Sequence, residues 1–167
     1  MTASLLLVLT ACSPTLNWRE VRAESTSLRF LLPCKPDKAQ KRVPLGPSEV
    51  QLSMLGCEAG GATLAVAWAE LAPGADTAAV LGQWERLSLQ NMRAASLAQS
   101  QPIKVVGAAN IPPPRLALAT GQTADGKSVQ GHAAYFSQGS QIFQAVMYAP
   151  KIAPEAADTF FSSLRLQ

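Results

Sequence analysis

ATLAVAWAEL, residues 62–71, constrains the architecture of this chain more than any other stretch. In an extended strand, successive side chains point to opposite faces of the sheet. One face of this stretch carries Leu64, Val66 and Trp68, and the other face carries alternate alanines. Because both faces are apolar, both must be covered by other parts of the chain. We therefore predict a buried strand inside a sheet that is packed on both sides.

Two further strands precede this stretch. Ser27–Leu32 is apolar and is stopped by Pro33, and Glu49–Cys57 alternates before the turn at residues 58–61. The segment between the two strands is basic and rich in proline, with Lys35, Lys38, Lys41, Arg42, Pro44 and Pro47. We predict that it is an irregular solvated loop, with contact to anionic lipid headgroups as the alternative.

One long helix follows the central stretch. Pro73 and Gly74 end the strand, and Asp76 is a residue type that caps helices. Apolar residues then recur at helical spacing on one face: Val80, Leu81, Trp84, Leu87, Met92 and Ala95. We predict a helix longer than about 20 residues that buries Trp84 and ends at residues 100–102.

The second half of the chain alternates regularly between apolar and polar residues. After a short strand at Ile103–Val106, residues 115–122 and 127–138 flank Asp125 and Gly126, a strong hairpin signal. Gln141–Tyr148 is a further strand. Pro154 suits the first turn of a final helix, and the inward stripe of that helix is Ala157, Phe160, Phe161 and Leu164.

These elements predict one α+β domain over residues 26–167. Its antiparallel sheet has six or seven strands, and the long helix and the C-terminal helix cover the two faces in an α/β/α sandwich.

The order of elements resembles the PsbP-like fold. The resemblance is carried by Phe30-x-x-Pro33, by the hairpin that leads into the long helix, by the strands around Asp125-Gly126, and by the ending at residues 160–166. This fold includes the photosystem extrinsic subunit and the Ran-binding Mog protein, and the chain also resembles uncharacterised proteobacterial lipoproteins. The resemblance implies a protein that binds partners or assists the assembly of complexes. Its motifs are structural, and fold alone does not fix function.

The first residues resemble an export signal. Residues 1–11 carry no charged side chain and contain the apolar run Leu5–Leu9, although no Lys or Arg precedes that run. The sequence Leu9-Thr10-Ala11-Cys12 resembles the lipobox of bacterial lipoproteins, in which cleavage before the cysteine leaves a lipidated residue with palmitate-type chains. This implies a signal peptide at 1–11, a lipidated Cys12 and a tether at 12–25, with Ser13 favouring the outer membrane over the inner one. The alternative is an ordinary apolar N-terminus with a chance cysteine.

Cys34 and Cys57 remain as an even pair if Cys12 carries lipid. In an oxidising periplasm they would form a disulfide that closes a loop of about 24 residues, which in the chain-entropy description contributes roughly 3–4 kcal/mol. The alternatives are two separate buried thiols or a redox pair, although the spacing differs from Cys-x-x-Cys. Metal binding has less support, because three Cys and one His show no ligand spacing.

Candidate functional residues are few. His132, the only histidine, shares a strand face with Gln130, Ala134 and Phe136, and no nucleophile motif accompanies it. Trp68 and Trp84 are candidates to line a cavity beneath the long helix. We read His132 as a partly exposed sheet residue and Trp84 as part of the core. His132, Trp68 and Trp84 are also the candidates for a ligand or partner contact, and we expect no catalytic, cofactor-binding or metal-binding residues. Glu70 and Asp76 are better explained as a strand-end charge and a helix cap.

Composition narrows the function classes. With 48% hydrophobic and 15% charged residues, the chain is too apolar for disorder. A net charge of +3, with no basic–aromatic interleaving, argues against nucleic-acid binding. We expect a non-catalytic lipoprotein at the periplasmic face of the outer membrane that binds envelope proteins and uses no cofactor. The alternatives are a carrier of a small apolar or lipid ligand and, third, an enzyme built around His132.

Overall fold

The structure is a computed structural model that describes residues 15–94 and 99–167. The strands of this part are β1 (Arg19–Arg22), β2 (Leu28–Leu32), β3 (Asp37–Leu45), β4 (Ser48–Ala59), β5 (Ala62–Glu70), β6 (Gln99–Pro102), β7 (Arg115–Gln122), β8 (Ser128–Gln138), β9 (Gln141–Ala149) and β10 (Arg165–Leu166). Its helices are α1 (Thr77–Asn91) and α2 (Pro154–Ser162). Neither described helix combines the length and the apolar character needed to cross a bilayer.

The main sheet has seven strands in the order β3-β4-β5-β9-β8-β7-β6, and every neighbouring pair is antiparallel. The α+β class and the strand number are therefore confirmed. Strand β5 lies inside the sheet between β4 and β9, as its two apolar faces predict. The hairpin at Asp125-Gly126 is also confirmed, since β7 and β8 pair across it.

Helix α1 covers the alanine face of β5. Val80, Leu81 and Trp84 pack there with Ala67 and Ala69, because small side chains let the helix approach the sheet closely. The N-cap is confirmed: the Asp76 carboxylate accepts a hydrogen bond from the Ala79 N–H at 3.0 Å.

The prediction of a helix longer than about 20 residues is wrong, because α1 has 15 residues. Arg93 adopts a left-handed conformation with φ 50°, and the chain turns there across the sheet. Two glycines leave room for this turn: a Cβ at Gly121 would lie 2.1 Å from the Met92 carbonyl oxygen, and one at Gly131 would lie 2.5 Å from Met92 Cε. Residues 100–102, predicted as the helix end, belong instead to the edge strand β6 at residues 99–102.

The opposite face of the sheet is covered by α2 together with a small three-stranded sheet in the order β1-β2-β10. The prediction that helices alone cover both faces is therefore corrected. Pro154 begins α2 as expected, but the helix ends at Ser162. Residues 165–166 pair with β2 because their alternation continues the buried face of that strand, with Leu166 opposite Leu28.

The domain extends into residues predicted as a tether. Residues 19–22 form β1 and pair with β2, with Val21 opposite Phe30. The Asn17 N–H donates to the Pro33 carbonyl at 2.9 Å, and the half-buried Leu16 and Trp18 pack against the core. The ordered fold thus begins before residue 26. Residues 1–14, with the predicted signal peptide and Cys12, lie outside the described residues.

The predicted basic loop is largely a strand. Residues 37–45 form β3, which pairs with β4 over nine residues at the edge of the main sheet. Its residues are mostly exposed on both faces, so no apolar alternation marks it in the sequence. Pro44 is tolerated because an edge strand has one side that needs no N–H donor.

The predicted disulfide is confirmed. Cys34, in the connection from β2 to β3, is bonded to Cys57 of β4. The bond joins the exit of the small sheet to the main sheet, and the residues it links are 23 positions apart.

Candidate functional site

An open groove of about 520 Å³ runs along α2, on the face of the sheet opposite α1. Strands β7 and β8 form its floor, and the segment after β6 forms its far wall. The lining of the groove is mainly apolar and consists of Ile103, Leu116, Leu118, Ile152, Ala157 and Phe161. Polar side chains stand at the rim, among them Lys104 and Asp158. An apolar floor within a polar rim is typical of a surface that binds another molecule.

His132 lies in this groove. Its neighbours across the sheet are Leu118 on β7 and Met147 on β9, and the centre of its ring is 6.3 Å from that of Phe161. Burial among these apolar side chains lowers the pKa of His132 below its ordinary value of 6.5. The imidazole is therefore neutral at pH 7, with one nitrogen able to donate a hydrogen bond and the other able to accept one. His132 therefore offers a hydrogen-bonding group within the apolar floor of the groove.

Trp68 and Trp84 lie on opposite faces of the main sheet. Trp84 is 7% exposed and packs edge-on against Tyr135, with ring centres 6.4 Å apart. Trp68 borders a separate hollow of about 330 Å³ beside Gln40 and Met54 of β3 and β4. The expectation of one cavity lined by both tryptophans is wrong, because the Trp68 side chain of β5 lies on the face of the sheet opposite to the one that α1 and Trp84 cover.

The position of the groove was not predicted. Its residues come from β7, β8, α2 and the segments beside them, so they are widely separated in the sequence. His132 was the only signal that pointed there, as the one histidine of the sequence and a polar residue beside Ala134 and Phe136 on its strand face. The apolar walls gave no such signal, since Phe161 and Ala157 fit equally well into a closed core.

A second polar cluster, also unpredicted, connects α1 to the sheet. The Gln144 amide donates to the Ser88 hydroxyl at 2.7 Å and to the Tyr135 hydroxyl at 3.0 Å. Glu85 of α1 accepts a charge-assisted hydrogen bond from Arg115 at 2.6 Å, and the Arg115 guanidinium lies 5.5 Å from the centre of the Tyr135 ring. Burial raises the pKa of Tyr135. These partners satisfy one another, so the cluster fastens the helix to the sheet.

The remaining candidate acids have structural roles. Asp76 caps α1, and the Glu70 carboxylate accepts a hydrogen bond from the Ser140 hydroxyl at the far end of the sheet. Within residues 15–94 and 99–167, no group of three or more His, Cys, Asp or Glu side chains is placed to hold a metal ion.

No protein-family model matches the chain, and no curated protein matches it significantly. Among solved structures, it is similar to the crystal structure of a protein of unknown function, PA94, from Pseudomonas aeruginosa. That similarity has a TM-score of 0.44 and 11% sequence identity, and it covers 79% of this chain and 82% of the other. A likeness of this degree assigns no function.

Proposed function

We propose that this chain is a non-catalytic bacterial lipoprotein that binds an envelope protein in the groove beside α2. In this proposal Cys12 carries the lipid, the protein faces the periplasm from the outer membrane, and the fold is related to the PsbP-like sandwich. The protein uses no cofactor and binds no nucleic acid. The observation that carries the proposal is the apolar groove with His132 in its floor and charged residues at its rim.

The chemistry of the groove favours binding over catalysis. A general base needs a positioned proton donor and an orienting group, and its efficiency is highest when its pKa lies near the working pH. The neighbours of His132 across the sheet are Leu118 and Met147, which offer no charge, and burial lowers its pKa. Such an imidazole suits one hydrogen bond to a bound partner surrounded by apolar contact.

The disulfide supports an extracytoplasmic location. Disulfides persist in oxidising compartments such as the bacterial periplasm and are rare in the cytosol. Cys34–Cys57 leaves Cys12 as the remaining cysteine of the chain. One cysteine outside the disulfide, placed after Leu9-Thr10-Ala11, fits a lipid attachment site.

A carrier of a small apolar or lipid ligand is the second candidate. It is favoured by the size of the groove, about 520 Å³, which lies within the roughly 300–1,000 Å³ of small-molecule sites. Because the groove is open along its length, it fits the side chains of a protein partner better than an enclosed small molecule.

The anchor is tested by the intact mass of detergent-extracted protein expressed from its natural locus. The expected mass is that of residues 12–167 plus a diacylglycerol and an amide-linked acyl chain, and a Cys12→Ser variant should lack the added mass. An unprocessed chain without lipid would refute the anchor.

The binding site is tested by in-cell photocrosslinking at two leucines. Leu118 lies in the groove, and Leu87 is 37% exposed on α1 on the other side of the sheet. A photoreactive leucine at 118 should form a discrete adduct, and the same probe at 87 should not. Equal adducts at the two positions would refute a specific groove.

The carrier hypothesis is tested with the same pair of positions. If the protein carries a lipid, native mass spectrometry of the Cys12→Ser protein should show a bound small molecule. Leu118→Trp, which fills the groove, should remove that molecule, whereas Leu87→Trp should retain it.

A further inference from the structure

The described chain is fastened to the domain as soon as it begins. A Cβ at Gly60 would lie 3.3 Å from Leu16 Cδ2 and 3.5 Å from Thr15 Cγ2, so both side chains rest on the β4–β5 turn. The hydrogen bond from the Asn17 N–H to the Pro33 carbonyl fixes the next residue. Residues 15–17 therefore belong to the folded domain and do not act as a flexible linker.

The covalent chain limits how far Cys12 can lie from this point. Three residues separate Cys12 from Leu16. A fully extended chain advances about 3.6 Å per residue, so the two Cα atoms are at most ~14 Å apart. A long flexible tether would let the domain tumble, whereas a link this short allows only the nearest end of the domain to meet the bilayer.

The end of the molecule nearest to Leu16 suits a headgroup surface. The Gly60-Gly61 turn is exposed and presents no side chains. Lys151 is exposed and borders the same small cavity as Leu16 and Gly60. Lys35 is exposed beside the disulfide. The ammonium groups of these two lysines favour contact with lipid phosphates, each contributing about 1 kcal/mol near an anionic surface. The exposed carboxylates of Asp37 and Glu58 border the same hollow as Lys35, so the charge at this end is mixed. The short link to Cys12 is therefore the main reason to place this end at the headgroups.

We propose that this end of the molecule, formed by Leu16, Lys35, the Gly60-Gly61 turn and Lys151, rests on the phosphate headgroups of the bilayer that holds the lipid on Cys12. The inference rests on the lipid anchor of the proposed function and adds the orientation of the domain and its membrane-contacting surface.

This orientation determines what faces away from the membrane. Strand β8 begins near the membrane end and extends for 11 residues, which is roughly 36 Å at the usual rise per residue. The turn at Gly139 and Ser140, where β8 ends, is therefore distal. The α2 groove opens on the flank of the molecule and begins close to the membrane end, since Ile152 in its lining directly follows Lys151.

The test uses the chain from Cys12 onward, which contains every described element of the fold. With Cys34 and Cys57 bonded, Cys12 is its one thiol and can be coupled to a maleimide phospholipid in vesicles of phosphatidylglycerol and phosphatidylethanolamine. A water-soluble amine reagent then modifies accessible lysines, and peptide mass spectrometry measures the rate at each one. The reference is the same protein coupled to a soluble maleimide.

The expected result is a several-fold slower modification of Lys35 and Lys151 on vesicles, with unchanged rates at Lys41 and Lys104. Lys41 lies at the middle of β3, opposite Leu52 and away from the Gly60-Gly61 turn, and Lys104 lies at the groove rim; both are exposed. Equal rates for Lys35 and Lys151 in the two forms would overturn the orientation. Because the coupling is chemical, this outcome is distinct from failure of the natural anchor, which the intact mass of the cellular protein reports.

Discussion

Single residues decide where α1 stops and how the chain crosses the sheet. Gly121 and Gly131 have no side chains, and Met92 occupies the space above them. The Gln122 N–H donates to the Met92 carbonyl at 2.7 Å, so this contact is also a backbone connection. The glycines thus permit a close approach that a strand residue with a Cβ would prevent.

Gly121→Ala should therefore destabilise the protein, because the new Cβ would lie 2.1 Å from the Met92 carbonyl oxygen. The backbone at Met92 or at residue 121 would have to shift to relieve this clash. We expect a loss of about 1–3 kcal/mol in the free energy of unfolding, measured by urea titration. Gly82→Ala is the matched control. Its Cβ meets only the end of the Arg86 side chain at 3.5 Å, so it should stabilise the helix by about 0.5–1 kcal/mol. Equal effects of the same sign would contradict this account.

His132 should make stability depend on pH. Burial disfavours its charged form, so its pKa is lower in the folded state than in the unfolded chain, where it is near 6.5. As the pH falls below 6.5, the unfolded chain takes up the proton first, and the free energy of unfolding decreases. His132→Phe should flatten this dependence between about pH 7 and pH 5 in urea titrations. Parallel profiles for the two proteins would exclude His132 as the cause. Asp158 and Lys104 at the groove rim are present in both proteins, so their contribution to the pH dependence cancels in the comparison.

At the scale of elements, the strands that the sequence did not predict are short strands or edge strands. Strand β5 was predictable because both of its faces are buried. Strand β3 was not, because it is an edge strand with most residues exposed, and its lysines resemble those of a loop. Strands β1 and β10 are four and two residues long, and both pair with β2. The pairing of β10 joins residues far apart in the chain, which no local pattern records.

The basic residues of β3 have a physical role at the edge of the sheet. An unpaired edge can recruit a second chain, and lysines on it oppose that association. Replacing Lys41 and Arg42 with valine should therefore produce self-association, measured as concentration-dependent mass by light scattering. Substitution of the same two residues by glutamine, which forms strands less readily than valine, should leave the mass closer to that of the parent protein. A monomeric valine variant would contradict the prediction.

The disulfide should act mainly on the unfolded chain. The bonded residues are 23 positions apart, and closing such a loop contributes roughly 3–4 kcal/mol in the chain-entropy description. The double variant Cys34→Ser and Cys57→Ser should lose about this amount of unfolding free energy. Reduction of the parent protein should match it, and a loss below about 1 kcal/mol in both cases would show that the loop is constrained by other contacts.

For the molecule as a whole, a sequence reveals which residues are buried more readily than which residues meet. Trp68 and Trp84 were both predicted to be buried, and both are. Their separation by the sheet follows from the antiparallel register and from the side on which α1 packs, which are properties of the assembled fold. The groove has the same origin, because its walls come together only when α2 docks. The Asp76 cap and the Asp125-Gly126 turn were predictable because each depends only on residues that are close together in the sequence.

One sheet shared by two apolar layers should unfold as one unit. Phe160 is fully buried with α2 on one side, and Leu81 is 1% exposed with α1 on the other. Because β5 contributes its alternate faces to both layers, loss of either layer exposes the strand that supports the other. Phe160→Ala should cost about 3–5 kcal/mol and Leu81→Ala about 2–5 kcal/mol. In each variant, tryptophan fluorescence and far-ultraviolet circular dichroism should report one coincident urea transition. Two separated transitions in either variant would show that the layers fold independently, and the central strand would then not couple them.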